Sequence, residues 1–137
     1  MIGIVVVTHS QLGVELLNAA EMIVGELPRF TAVSVAWHDD SNNAREEIEQ
    51  AIARVDQGDG ILIVTDMFGE TPSNLAMTFL TRANVEVVTG VNLPMLIKLA
   101  ELTKQTGVLD AARSIREQGR DAIWVASDLL RGEKAKQ

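Results

Sequence analysis

Short apolar runs alternate with longer amphipathic segments along the whole chain. The apolar runs are rich in β-branched residues, as strands are, and they lie at residues 2–7, 31–37, 61–65 and 85–89. The amphipathic segments place apolar side chains at helical spacing and lie at residues 12–24, 41–55, 71–80, 95–103 and 108–118. A last short apolar run, Ala122 to Ala126, predicts a further strand. Strands that alternate with helices predict an α/β fold, in which helices cover both faces of an open, mainly parallel sheet in three layers.

Polar residues and glycines indicate where the helices begin and end. Ser41 is a suitable N-cap for the second helix, and Thr71 with Pro72 suits the N-cap and first helical position of the third. Gly25 and Gly119 are expected to end the helices that precede them.

Composition and charge exclude several classes of protein. The 137 residues are 47% hydrophobic and 23% charged, which predicts one folded, soluble domain over residues 1–130 and a polar tail over 131–137. The net charge of −7 argues against nucleic-acid binding. There are no cysteines, and the first apolar run lacks the basic flank of a signal peptide, so we expect a cytoplasmic protein.

His9 is the candidate reactive residue. It follows the first apolar run and precedes the first predicted helix, whose N-terminal N–H groups can bind an anion. Asp66 follows the third run in the same way, and the carboxyl ends of parallel strands meet at the edge where open α/β sheets bind their ligands. We therefore expect Asp66 to accept a hydrogen bond from the ring of His9. That bond would fix the tautomer and leave the other ring nitrogen free as a nucleophile or base.

Other polar segments favour simpler interpretations. The turn His38-Asp39-Asp40 lacks the ligand spacing of common zinc sites, so we interpret it as a solvated turn and expect no metal. Neither a P-loop nor a Rossmann glycine fingerprint occurs, so no nucleotide or other organic cofactor is expected. Asn92, in the turn from Gly90 to Pro94, is a natural cap for the next helix and lies at the same edge of the sheet.

Four segments, in this order and spacing, resemble the enzyme IIA component (EIIA) of the mannose family of the bacterial phosphoenolpyruvate-dependent sugar phosphotransferase system (PTS). They lie at residues 4–9, 20–26, 66–74 and 90–96, and the resemblance extends from Met1 to about Leu130. It implies a phosphotransferase that accepts a phosphoryl group from the phosphocarrier HPr on His9 and passes it to a IIB component. The membrane components IIC and IID would take part only indirectly.

The same resemblance implies a fold and a set of site residues. The sheet order would be 2-1-3-4, with a last antiparallel strand that known members can exchange across a homodimer. Asp66 would be the carboxylate partner of His9, and Thr71 would lie near the phosphoryl group. The residues expected to bind the phosphoryl group or the partner proteins are Thr8, Ser10, Met67, Phe68, Gly69, Thr71, Pro72, Ser73 and Asn92.

Two residues depart from the family pattern. Ser10 and Glu70 each stand where many members have glycine, and Glu70 adds negative charge beside a site that would hold a phosphoryl group.

Two alternative functions use the same histidine. One is the phosphotransfer subunit of a phosphoenolpyruvate-dependent dihydroxyacetone kinase. The other is a regulatory binding module that reports the phosphorylation state of His9 to a partner.

Overall fold

The computed structural model describes residues 1–36, 40–102 and 105–132. Strands and helices alternate through most of this length, as the hydrophobic pattern predicts. In chain order the elements are β1 (Gly3–His9), α1 (Leu12–Val24), β2 (Phe30–Val35), α2 (Ser41–Val55), β3 (Ile61–Thr65), α3 (Thr71–Met77), a 3₁₀ turn (Thr78–Thr81), β4 (Val85–Thr89), α4 (Leu93–Ala100), α5 (Val108–Asp121) and α6 (Ala126–Leu130).

The four strands form one parallel sheet of order β2-β1-β3-β4, which confirms the predicted 2-1-3-4 order. β1 lies at the centre, so that Val7 is opposite Val33 of β2 on one side and Thr65 of β3 on the other. The chain leaves β1 toward β2 and later returns to place β3 on the opposite side of β1. The switch point of the topology therefore lies between β1 and β3, where ligands of such sheets usually bind.

Two apolar cores, one on each face of the sheet, account for the three layers. Successive side chains of a strand point to opposite faces. Ile4 and Val6 accordingly pack with α1, α4 and α5, whereas Val5 and Val7 pack with α2, α3 and the 3₁₀ turn. All four side chains are fully buried, which explains why β1 is apolar throughout.

Three helix starts differ from the sequence prediction by one or two residues. Asp40, not Ser41, is the N-cap of α2, because its carboxylate accepts the N–H of Asn42. Glu70, not Thr71, is the N-cap of α3. α4 begins at Leu93 rather than at residue 95, since the cap at Asn92 starts the helix directly after it. Each shift puts a residue in extended conformation at the cap, as caps require.

Several elements end at other residues than predicted. β1 extends to His9, and β2 ends at Val35, while Trp37 lies outside the described residues. α5 continues through Gly119 to Asp121, so the prediction that this glycine ends the helix was wrong. Gly119 instead permits close packing, because a Cβ there would lie 2.7 Å from the Sδ of Met95.

The predicted last strand, Ala122 to Ala126, is not a strand in the single chain. Ala126 begins the short helix α6, and no strand pairing involves the preceding residues. The side chains of Ile123, Trp124 and Val125 are exposed by 68%, 42% and 62%. The segment has the apolar composition of a strand, but in the single chain it pairs with no strand.

Across the described ranges, no helix is both long enough and apolar enough to span a lipid bilayer.

Candidate active site at the β1–β3 switch point

His9 and Asp66 form a hydrogen-bonded pair at the carboxyl edge of the sheet. The Nδ1 atom of His9 lies 2.7 Å from Oδ2 of Asp66, which also accepts the backbone N–H of His9 at 2.9 Å. The other carboxylate oxygen accepts the backbone N–H of Met67 at 2.9 Å. This is the contact that the sequence predicts from two strands ending side by side.

The hydrogen bonds keep the Asp66 carboxylate ionised. Partial burial alone would raise the pKa of Asp66. The backbone N–H of His9, the His9 ring and the N–H of Met67 outweigh that effect and hold the pKa below its usual value. An ionised carboxylate only accepts hydrogen bonds, so Nδ1 of His9 is assigned the proton. In the neutral ring, Nε2 then carries the lone pair. The His9 side chain is 40% exposed to solvent.

Two residues beside His9 fix the start of α1 close to the end of β1. Thr8 is fully buried, and its hydroxyl accepts the backbone N–H of Gly13 at 2.7 Å. Ser10 is exposed and has a φ of +50°, which favours glycine, and its N–H donates to the carbonyl of Val35. The glycine of many family members at this position is therefore explained by the backbone conformation, which Ser10 also adopts.

The loop that follows Asp66 is held from within by Ser73. The buried hydroxyl of Ser73 accepts the N–H of Gly69 at 2.9 Å and donates to the carbonyl of Glu70 at 2.9 Å. Pro72 is buried too, whereas Thr71, the first residue of α3, is exposed. Thr8, Pro72 and Ser73 thus lie inside the chain, and Ser10, Gly69 and Thr71 lie at its surface.

Exposed apolar side chains lie near His9 and Asp66 along the chain. Met67 and Phe68, which follow Asp66 directly, are exposed by 54% and 68%. Leu12, at the start of α1 and three residues after His9, is exposed by 48%. The sequence pattern assigns Leu12 to the packed stripe of its helix. Only the orientation of α1 in the fold shows that this side chain faces solvent at the edge of the sheet.

The two carboxylates beside His9 face different nitrogens of its ring. Asp66 contacts Nδ1, and Oε1 of Glu70 lies 4.0 Å from Nε2. The sequence indicates that Glu70 adds charge to the site but not which nitrogen it approaches. Because the carboxylates lie on opposite sides of the ring, they do not converge on one point. Within the described part of the chain, no three potential ligands are grouped so as to hold a metal ion.

Both the oxygen and the nitrogen of the Asn92 side-chain amide form hydrogen bonds within the chain. Oδ1 accepts the N–H of Met95 at 3.2 Å, as a cap does, and Nδ2 donates to the carbonyl of Gly119 at 3.1 Å. The side chain therefore joins the start of α4 to the last turn of α5. The structure gives it a structural role at the edge where the sequence predicts contact with the phosphoryl group or a partner.

Two proteins of known type are similar to this chain in sequence. The chain is 26% identical to the fructose-specific EIIA component of the PTS from Bacillus subtilis (strain 168) over 137 residues, covering 99% of this chain and 92% of that protein. It is 31% identical over 98 residues to the mannose-specific EIIAB component of Escherichia coli (strain K12), covering 71% of this chain and 30% of that protein.

The fold is also that of a solved EIIA structure. The crystal structure of the phosphotransferase system component EIIA from Streptococcus agalactiae matches with a TM-score of 0.83 at 23% identity, covering 93% of this chain and 98% of that one. The sequence model of the EIIA-man family, described as "PTS system fructose IIA component", matches residues 3–115. The chain therefore belongs to the mannose-type EIIA family and is a phosphotransfer component of the sugar phosphotransferase system.

Proposed function

We propose that His9 accepts a phosphoryl group on Nε2 from phosphorylated HPr and passes it to a IIB component. The observation that carries this proposal is the His9–Asp66 pair at the topological switch point, with one nitrogen held and the other accessible. Membership in the EIIA family supports the phosphotransfer role. The sequence resemblance implies that HPr and a IIB component are the partners and that the cytoplasm is the setting.

The transfer step is an in-line displacement. The lone pair of Nε2 attacks phosphorus, the P–N bond of the donor phosphohistidine breaks, and its electron pair stays on the leaving nitrogen. The Nδ1 proton of His9 remains in the hydrogen bond to Asp66. Phosphorylation makes the ring positive, and the ionised Asp66 carboxylate stabilises that charge. The protein's main contribution is positioning and electrostatic stabilisation rather than additional covalent chemistry.

The surface around His9 suits a succession of protein partners. Leu12, Met67 and Phe68 offer apolar side chains that a partner can cover, which would exclude water from the transfer site. The N-terminus of the 13-residue helix α1 lies just after His9 and favours a bound anion. The exposed hydroxyls of Ser10 and Thr71 can donate hydrogen bonds to phosphoryl oxygens.

The first prediction is that His9 is the sole phosphoacceptor. Incubation of the chain with enzyme I, HPr and phosphoenolpyruvate should add the mass of one phosphoryl group, labile to acid and stable to base. His9→Ala should abolish the addition. His38 is the only other histidine, so His38→Ala is the matched control and should retain it. A His9→Ala protein that still gains one phosphoryl group would overturn the assignment.

We also propose that the chain forms a homodimer through its C-terminal segment. β4 is an edge strand whose five residues are all partly exposed. A groove of about 490 Å³ runs between β4 and α5, and Ile123 lines it. An unpaired edge beside exposed apolar residues of the same chain favours strand pairing between two copies, and exchange is an inexpensive way to achieve it.

A further inference from the structure

We propose that Glu70 tunes the phosphoryl-transfer potential of His9 by destabilising the phosphorylated state. The inference rests on the proposed function of His9 and concerns a residue that departs from the glycine common in the family. Its Oε1 atom lies 4.0 Å from Nε2, the nitrogen that would carry the phosphoryl group. Glu70 thus makes phospho-His9 a better donor to the next partner and makes unphosphorylated His9 a poorer acceptor from HPr.

The geometry makes Glu70 an electrostatic neighbour rather than a hydrogen-bond partner. A separation of 4.0 Å is too long for a hydrogen bond to the ring, but it is within the range of a strong charge–charge interaction. A phosphoryl group on Nε2 adds a charge of about −1.5 to −2 close to this carboxylate. The two like charges repel, and the repulsion exists only in the phosphorylated state.

Among the described residues, no basic side chain lies close enough to the Glu70 carboxylate to offset this repulsion. Within residues 1–36, 40–102 and 105–132, no lysine or arginine nitrogen lies within 4.0 Å of the Glu70 carboxylate, whose ion-pair contact is with His9. Asp66 supplies no positive charge, because it is itself a carboxylate, and its own hydrogen bonds hold it at Nδ1. The backbone of Glu70 is also held, because Ser73 bonds its carbonyl and its N–H.

Solvent limits the size of the effect. The Glu70 side chain is 55% exposed, so water and salt screen its charge and the side chain can partly turn away. We therefore expect the repulsion to lower the equilibrium constant for phosphorylation roughly three- to tenfold at low salt. The repulsion should also shorten the lifetime of the isolated phosphoprotein.

The test compares two isosteric substitutions that change the net charge equally. Glu70→Gln removes the carboxylate beside Nε2. Glu26→Gln removes an exposed carboxylate from the loop between α1 and β2, at the opposite end of the sheet. Each protein is equilibrated with phosphorylated HPr at low and high salt, and the phosphorylated fraction is measured by intact mass. Hydrolysis of the purified phosphoproteins gives a second readout that needs no partner.

For Glu70→Gln, we expect the equilibrium constant for phosphorylation to rise three- to tenfold at low salt and to rise less at high salt. For Glu26→Gln, we expect it to stay at the wild-type value. Glu70→Gly, which places the common family residue at the same N-cap, should reproduce the rise and replaces Glu70→Gln if that variant folds poorly. An equilibrium constant equal to wild type, or equal changes in the Glu70 and Glu26 variants, would overturn the inference while leaving His9 as acceptor. Failure of the wild type to accept any phosphoryl group would instead reject the proposed function.

Discussion

Asp66 and Glu70 carry the same charge, but each faces a different nitrogen of His9, so under the proposed mechanism we expect them to affect phosphotransfer differently. Asp66 hydrogen-bonds Nδ1, where phosphorylation makes the ring positive. Glu70 lies beside Nε2, where the phosphoryl group itself brings negative charge. We therefore expect Asp66 to stabilise phosphorylated His9 and Glu70 to destabilise it. Their positions around a single ring decide which effect each has.

Asp66 should also contribute to stability in a pH-dependent way. Because its pKa is lowered in the folded protein, its contribution is fully present above the usual aspartate pKa of about 4 and is lost as the pH falls through the folded pKa. At neutral pH we expect Asp66→Asn to lower the free energy of unfolding by about 1–2 kcal/mol. Denaturant unfolding of both proteins from pH 7 down to pH 2–3 should show this difference shrinking below about pH 4. A difference that is constant with pH would contradict the lowered pKa.

The same substitution tests how His9 is oriented. An amide can present its NH₂ group to Nδ1 and so favour the wrong tautomer. Asp66→Asn should therefore remain folded at neutral pH but transfer the phosphoryl group more slowly than wild type. Transfer at the wild-type rate would show that Asp66 only caps the loop.

At the scale of elements, side chains at the edge of the sheet join its loops to neighbouring helices by hydrogen bonds. Thr8 holds the first turn of α1, Ser73 holds the loop before α3, and Asn92 joins α4 to α5. These contacts are made between buried or half-buried groups, which explains why polar residues occur where the strands end.

Asn92 gives a test of this structural role. Asn92→Ala removes both the cap of α4 and the bond to the carbonyl of Gly119, and we expect it to lower the free energy of unfolding by about 1–2 kcal/mol. Asn92→Ser keeps a capping oxygen and loses only the bond to α5, so it should cost less. Both variants should accept a phosphoryl group at nearly the wild-type rate once folded. A large loss of transfer in stably folded Asn92→Ser would show that the amide contacts the phosphoryl group or a partner instead.

At the scale of the whole molecule, the C-terminal segment should determine the oligomeric state. Deletion of residues 123–137 leaves α5 intact but removes Ile123, Trp124 and Val125, which are exposed in the single chain. We expect the full chain to sediment as a dimer and the truncated chain as a monomer or aggregate. Deletion of residues 133–137 alone is the control and should leave the dimer intact. A full chain that stays monomeric at micromolar concentration would contradict the dimer but not the fold.

Much of the architecture follows from local chemistry. The all-apolar run of β1 predicts a strand buried on both faces, and the helical stripe of residues 12–24 gives α1 with its observed bounds. The proximity of His9 and Asp66 also follows, because each stands at the end of a strand and parallel strands end at one edge of the sheet. The strand order itself came from the family resemblance, since the hydrophobic pattern alone does not order strands.

The amino-acid sequence thus determined the layers, the four strands of the sheet and the contact between His9 and Asp66, because burial and hydrogen bonding along the chain leave periodic signals. Only the tertiary structure decided that Glu70 approaches Nε2, that Gly119 lies inside α5 against Met95, and that Leu12 is exposed beside the site. Each of these depends on which elements lie next to each other, and periodicity carries no information about that. The C-terminal run shows the same limit, because a strand forms only by pairing with another strand and residues 122–126 pair with none in the single chain.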